Sequence, residues 1–372
     1  MIICNNAYGQ AASGKYSKLN IMAEAKIHYG FLYSHHLELD KFQAHYPAYE
    51  FSIEQATWGA KRWEVAYAYP IIGISFWFSR LGGFEEIGSA YALYPFITFP
   101  IFYDSKNSIN FRLGLGLSYL TNKFDRTENY KNFAIGSHVN VAGSLYLEYR
   151  RKLGRIFTIS GGFGLTHFSN GATKTPNYGL NILTANIGVS AFLKPPNPAF
   201  DKKTLPELYT FEFDGRKDLD IEFSFSYASK DMTEQFGERF NVFVLYINTL
   251  KRISYKSKIG GGINLVYDAS DKYLLEWSGI EVDKPFETVK PGISAAYELV
   301  ISKISFMFNF GFYLYNKEAS EGQVYQCLTL KYNFIDNIFA HIVLNTNWGK
   351  AEYVGFGLGY KINFIYKRKI KH

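Results

Sequence analysis

The chain is poor in cysteine: Cys4 and Cys327 are the only two among its 372 residues. Cys4 stands at the extreme N-terminus, so once the start is processed Cys327 is left alone and no internal disulfide is expected. Cys327 lies in the alternating run VYQCLTLKYNF and reads as a small packed residue. Also missing is any unbroken apolar run of about 18 residues, the length a membrane-crossing helix needs. Helical periodicity is scarce. Cysteine-rich zinc spacing, a phosphate-cradling glycine loop and a nucleic-acid signature are all lacking. No metal, no cofactor and no nucleic-acid partner are therefore expected.

What is abundant points elsewhere. Phe, Tyr and Trp make up 18% of the chain, with 30 Tyr and 33 Phe beside 32 Gly. Alternation with a period of two runs throughout, the mark of strands with one apolar face. Together these features predict an all-β fold, an antiparallel outer-membrane β-barrel whose excess aromatics form interfacial girdles. Strand-like segments lie near 26–34, 49–56, 63–78, 91–102, 111–120, 141–149, 156–168 and 182–193. A second series lies near 221–228, 240–253, 259–268, 289–300, 304–315, 324–335, 338–348 and 353–364. Pro70 implies a bend within the third segment, because proline cannot donate to a ladder. Tight connections such as Ser302–Lys303 and Asp336–Asn337 alternate with long polar ones, as periplasmic turns alternate with outer loops.

The two eight-strand sets are separated by KPPNPAFDKKTLPELYTFEFDGRKD, rich in proline and charge. About 16 strands in two sets admit tandem barrels or one wide barrel, and the long linker favours the tandem. The organisation expected is residues 1–19 as a signal remnant and N-terminal segment, 20–195 as the first barrel region, 196–220 as linker and 221–372 as the second. The N-terminus resembles the end of a secretory signal without its charged and most of its apolar part. The net charge of +7 owes much to the solvated tail YKRKIKH.

One polar stretch, GLTHFSNGATKTPNYGLN at 164–181, interrupts this pattern. By strand parity Phe157, Ile159, Phe163, Leu165, His167 and Ser169 share the apolar, lipid-facing row of the seventh strand. Asn181, Leu183, Ala185 and Ile187 share that of the eighth. If the first strand rises from the periplasm, the seventh ends at the outer rim, so His167, Ser169 and Asn181 gather at head-group depth. Polar groups that face lipid are costly and call for a reason; a lipid substrate supplies one. A serine needs a base to become a nucleophile, and His167 stands two residues from Ser169 on the same face. Asn170, Asn177 and nearby backbone N–H groups are candidates to hold an oxyanion. Asn181 can accept from the imidazole and fix its tautomer. The bland alternative is that HFSNG is a strand end and TPNYG a turn.

HFSNG followed by PNYGLN resembles the motif of the lipid A 3-O-deacylase (PagL) family, also described as acyloxyacyl hydrolases. The resemblance covers residues from about 20 to 195. It implies an eight-strand barrel of the bacterial outer membrane that hydrolyses an ester-linked acyl chain of lipid A without a metal. It further implies His167 as general base, Ser169 as nucleophile, and Asn170 and Asn177 in or beside the oxyanion hole. This sequence departs from the family at one position. Where the family has a glutamate twelve residues after the serine, it has Asn181, which carries no charge. Asp125 and Glu128, in the loop after the fifth strand, are alternative orienting acids by location. The histidines and acids of SHHLELD at 34–40 read as a solvated loop in preference to a metal site. The partners expected are lipopolysaccharide with its lipid A, outer-membrane lipids and, as an option left open, further copies in a homo-oligomer. The competing reading is a non-catalytic barrel, a pore, adhesin or scaffold that retains the motif.

Overall fold

The computed structural model describes residues 19–196, 217–232, 238–320 and 322–366. The expected signal remnant, Cys4, most of the linker and the basic tail beyond Tyr366 lie outside the described residues. Eight strands precede the linker: β1 (Ile21–Leu32), β2 (His45–Ala56), β3 (Ile71–Ser79), β4 (Ala90–Tyr103), β5 (Asn107–Leu120), β6 (Val139–Leu153), β7 (Phe157–Ser169) and β8 (Leu180–Phe192). Eight follow it: β9 (Lys217–Asp231), β10 (Arg239–Arg252), β11 (Ser257–Asp268), β12 (Val289–Ile301), β13 (Ile304–Tyr313), β14 (Val324–Ile335), β15 (Ile338–Asn347) and β16 (Lys350–Tyr366). Each set closes on itself. β1 pairs antiparallel with both β2 and β8, and β9 with both β10 and β16. The architecture is therefore two eight-strand barrels, the tandem alternative, and not one wide cylinder. No described helix is long and apolar enough to cross a membrane.

Alternation places the side chains. In β1, Ile27, Tyr29 and Phe31 face outward and are exposed, while Lys26 and His28 point inward and are buried. Gly30 continues the inner row, where a Cβ would come within 1.8 Å of the Leu183 carbonyl oxygen. An eight-strand barrel is just wide enough inside for side chains. In the first barrel they form a charged network. Arg150 pairs with Glu54 at 2.8 Å and with Glu24 at 3.2 Å, Lys26 with Glu24 at 3.2 Å, and Arg112 with Glu50. In the second, Lys258 bridges Asp220 (2.7 Å) and Glu298 (2.8 Å), and Lys331 bridges Glu222 (2.7 Å) and Glu298. Tyr246, Tyr313, Tyr325, Tyr353 and the buried Cys327 fill the space beyond.

The third segment differs from its expectation. Strand structure begins only at Ile71, and Arg62–Ala66 form a short helix, α1. Glu64 accepts from the backbone N–H groups of Gly59 and Ala60, each at 2.9 Å, and so closes the turn that leads into α1. Ala68 and Tyr69 then adopt positive φ of 59°, and the Pro70 carbonyl accepts from the Thr57 hydroxyl at 2.6 Å. A missing N–H at Pro70 stops the strand from extending back through Trp63.

Candidate active site

The site grows from the β7–β8 hairpin. Antiparallel register sets His167 directly opposite Asn181. Both continue the outward rows that hold Phe163, 63% exposed, and Ile187, 68% exposed. The His167 Nδ1–H donates to Asn181 Oδ1 at 2.6 Å, which leaves Nε2 as the free ring nitrogen. Ser169 lies two residues on, on the same face, at a backbone separation of about 6–7 Å. His167, Ser169 and Asn181 are all half-buried.

The chain turns sharply after Ser169. Gly171 and Ala172 take φ of 62° and 63°, the left-handed region that glycine enters without a steric cost. This turn sends the Gly171 N–H back to Ser169 Oγ at 3.2 Å. Asn177 Nδ2 donates to the same oxygen at 2.9 Å. Two donors thus converge on the serine oxygen. Asn177 is held in turn, because its Oδ1 accepts from the Asn170 N–H at 3.0 Å. The buried Asn170 side chain points into the loop: its amide donates to Ser137 Oγ (2.9 Å) and to the Lys174 carbonyl (2.8 Å). These bonds tie together the loop that carries Gly171 and Asn177. Asp125 accepts from the Thr127 hydroxyl (2.8 Å) and N–H (2.9 Å) and from the Glu128 N–H (3.0 Å), closing its own turn. Those donors hold its carboxyl down at about 2.

One neighbour of the site escapes sequence reasoning. The Nδ2 of Asn181 donates to Nδ1 of His35 at 3.0 Å. His35 belongs to the loop after β1, within the SHHLELD stretch read as solvated. Among the described residues no group of three or more His, Cys, Asp or Glu is placed to hold a metal. His36 is held below the usual imidazole value by partial burial and by His35 beside it, with Glu38 opposing. A strand pattern carries no information on where a loop folds back, so nothing in the sequence marks His35. A second Ser–His contact, Ser226 Oγ to His341 Nε2 at 2.6 Å, lies buried within the second barrel among Glu222, Lys331 and Phe339, away from lipid.

Comparison with known proteins adds independent findings. The family model described as lipid A 3-O-deacylase (PagL) matches residues 47–190, which include all five candidate residues. The model described as acyloxyacyl hydrolase, C-terminal domain, matches residues 218–364. No curated protein matches. Solved structures that align include a mutant porin of Rh. blastica, at 6% identity over 92% of this chain and 100% of that one, with a TM-score of 0.18. Another is the COG4313 outer membrane channel from Pseudomonas putida F1, at 6% identity over 95% and 99% of the two chains, with a TM-score of 0.22.

Proposed function

Because this chain belongs to the lipid A 3-O-deacylase (PagL) family of outer-membrane hydrolases, we propose that it deacylates lipid A as a serine esterase, from the lipid-facing outer rim of its first barrel. The observation that carries this reading is the His167 Nδ1–H bond to Asn181 at 2.6 Å, on the same outward face as Ser169. An imidazole held in that tautomer presents a basic Nε2.

With an ester carbonyl seated beside Ser169, the hydroxyl oxygen attacks the carbonyl carbon while its proton passes to His167 Nε2. Negative charge then develops on the former carbonyl oxygen. The Gly171 N–H and Asn177 Nδ2, which point at Ser169 Oγ, are the nearby donors that would receive it. Collapse expels the sugar alkoxide, which takes the proton from Nε2, and leaves an acyl-serine. Water, deprotonated by the same nitrogen, releases the fatty acid. Throughout, Asn181 fixes the ring. Being neutral, it stabilises the imidazolium less than a carboxylate would, since hydrogen bonds to charged partners are roughly twice as strong.

The test compares lipid A by mass spectrometry from cells that carry the wild-type protein, Ser169→Ala, or no protein. The expected outcome is acyl loss with wild type alone. Equal trimming by Ser169→Ala would remove the assigned nucleophile.

A further inference from the structure

A neutral amide in place of an acid raises a problem of direction. A carboxylate offers an acceptor whichever oxygen faces the histidine. An amide is two-sided: with Oδ1 toward His167 it accepts from Nδ1–H, and with Nδ2 there it can only donate. The second orientation would pull the imidazole proton to Nε2 and leave no base toward Ser169. Something must choose between the two faces of Asn181.

We propose that His35 is the positioning residue that makes this choice. Its Nδ1 accepts the Asn181 Nδ2–H at 3.0 Å, which turns Oδ1 toward His167. With the His35 proton on Nε2, the tautomer in which Nδ1 accepts, the imidazole, amide and imidazole form a directed series. Local structure holds His35 there. β1 and β8 pair up to Leu32 and Ile182, and the Tyr33 N–H then donates to the Asn181 carbonyl at 2.7 Å. The Ser34 hydroxyl donates to the His36 carbonyl at 2.7 Å and turns the chain between them. Leu39 and Phe42, both fully buried, anchor the turn that follows. His35 therefore stands over Asn181 through a short, pinned segment. The rings of His35 and His36 lie 4.6 Å apart at a tilt of 58°. This inference rests on the serine-esterase reading for its kinetic consequences and on the hydrogen bonds alone for its structural ones.

The experiment is a double-mutant comparison in the full-length protein, purified in detergent with lipid A as substrate. His35→Phe should lower kcat by about tenfold with KM little changed, the scale of one lost orienting hydrogen bond. His35→Glu, whose carboxylate can only accept, should keep most of the rate. In the Asn181→Glu background the partner of His167 no longer has two unlike faces, so His35→Phe should change kcat by less than about twofold. A merely structural His35 would cost the same factor in both backgrounds, or lose as much with Glu as with Phe; either result overturns the proposal. A second readout needs no activity. The imidazole 15N shifts of His167 should report a single Nδ1–H tautomer in wild type and His35→Glu, and a tautomer mixture in His35→Phe. An unchanged tautomer in His35→Phe sinks the proposal even if the protein proves to be no esterase. Activity that survives Ser169→Ala sinks the esterase reading and leaves the tautomer result standing.

Discussion

At the scale of single residues, two donors meet one oxygen. Gly171 supplies a backbone N–H and Asn177 a side-chain amide, at 3.2 and 2.9 Å from Ser169 Oγ. If these donors follow the developing charge, Asn177→Ala should lower kcat by about 10²–10³ with KM nearly constant, as removal of one oxyanion donor does elsewhere. Steady-state kinetics of the variant against lipid A check this; a rise in KM at constant kcat would make Asn177 a binding group instead. His167, Ser169 and Asn181 were legible in the sequence because strand parity sorts them onto one face and antiparallel pairing brings the last opposite the first. The contacts of the Asn170 amide and the approach of His35 to Asn181 were not legible. The direction of the Asn170 amide and the return of the 33–36 segment over Asn181 depend on loop conformation, and no periodicity encodes that.

At the scale of elements, strands were legible where alternation was sustained, and the connections were not. The run 63–78 shows why: aromatic residues at strand-like spacing fall on α1 and its turn because Pro70 and two positive-φ residues interrupt the ladder. The long connection between β11 and β12 also hides a helix, α2 (Ala269–Trp277), capped by the Asp268 side chain, which accepts from the Ser270 N–H at 3.0 Å. Asp271 in its first turn is buried against Lys290 at 2.9 Å. Burial outweighs that lysine and, with Asp268 adding to it, pushes the Asp271 carboxyl up to about 7. The folded state thus binds this proton more tightly than the unfolded one, whose value is about 3.9. Its contribution to local stability is complete below about pH 4 and is lost as pH rises through 7. Amide-exchange protection across α2 should therefore fall between pH 4 and pH 8, by about tenfold or more after correction for intrinsic rates. Asp271→Asn should flatten that slope. Protection that rises over the same range would reverse the assigned cause.

At the scale of the whole molecule, composition and alternation established barrels, but the number of barrels turned on which strands close the sheet. Sixteen amphipathic segments are common to one cylinder and to two. Only the pairing of β1 with β8, and of β9 with β16, separates the cases, and a proline-rich linker is merely consistent with it. Closure into two has an energetic consequence. Each barrel carries its own buried ion network: Arg112 with Glu50 in the first, and Lys331 with Glu222 and Glu298 in the second. Removing one member leaves an unmatched buried charge, at a cost of about 3–5 kcal/mol. Arg112→Met and Lys331→Met should each destabilise by that order, and each only its own barrel, because no strand is shared between the two sheets. Denaturant unfolding of the intact protein in lipid vesicles can resolve this with one tryptophan kept as reporter. Trp77 sits buried inside the first barrel, and Trp348 is exposed beyond β15 of the second. Arg112→Met should shift the Trp77 transition and leave the Trp348 transition in place, and Lys331→Met should do the reverse. Equal shifts of both transitions by either variant would mean that the two sheets unfold as one cooperative unit despite closing separately.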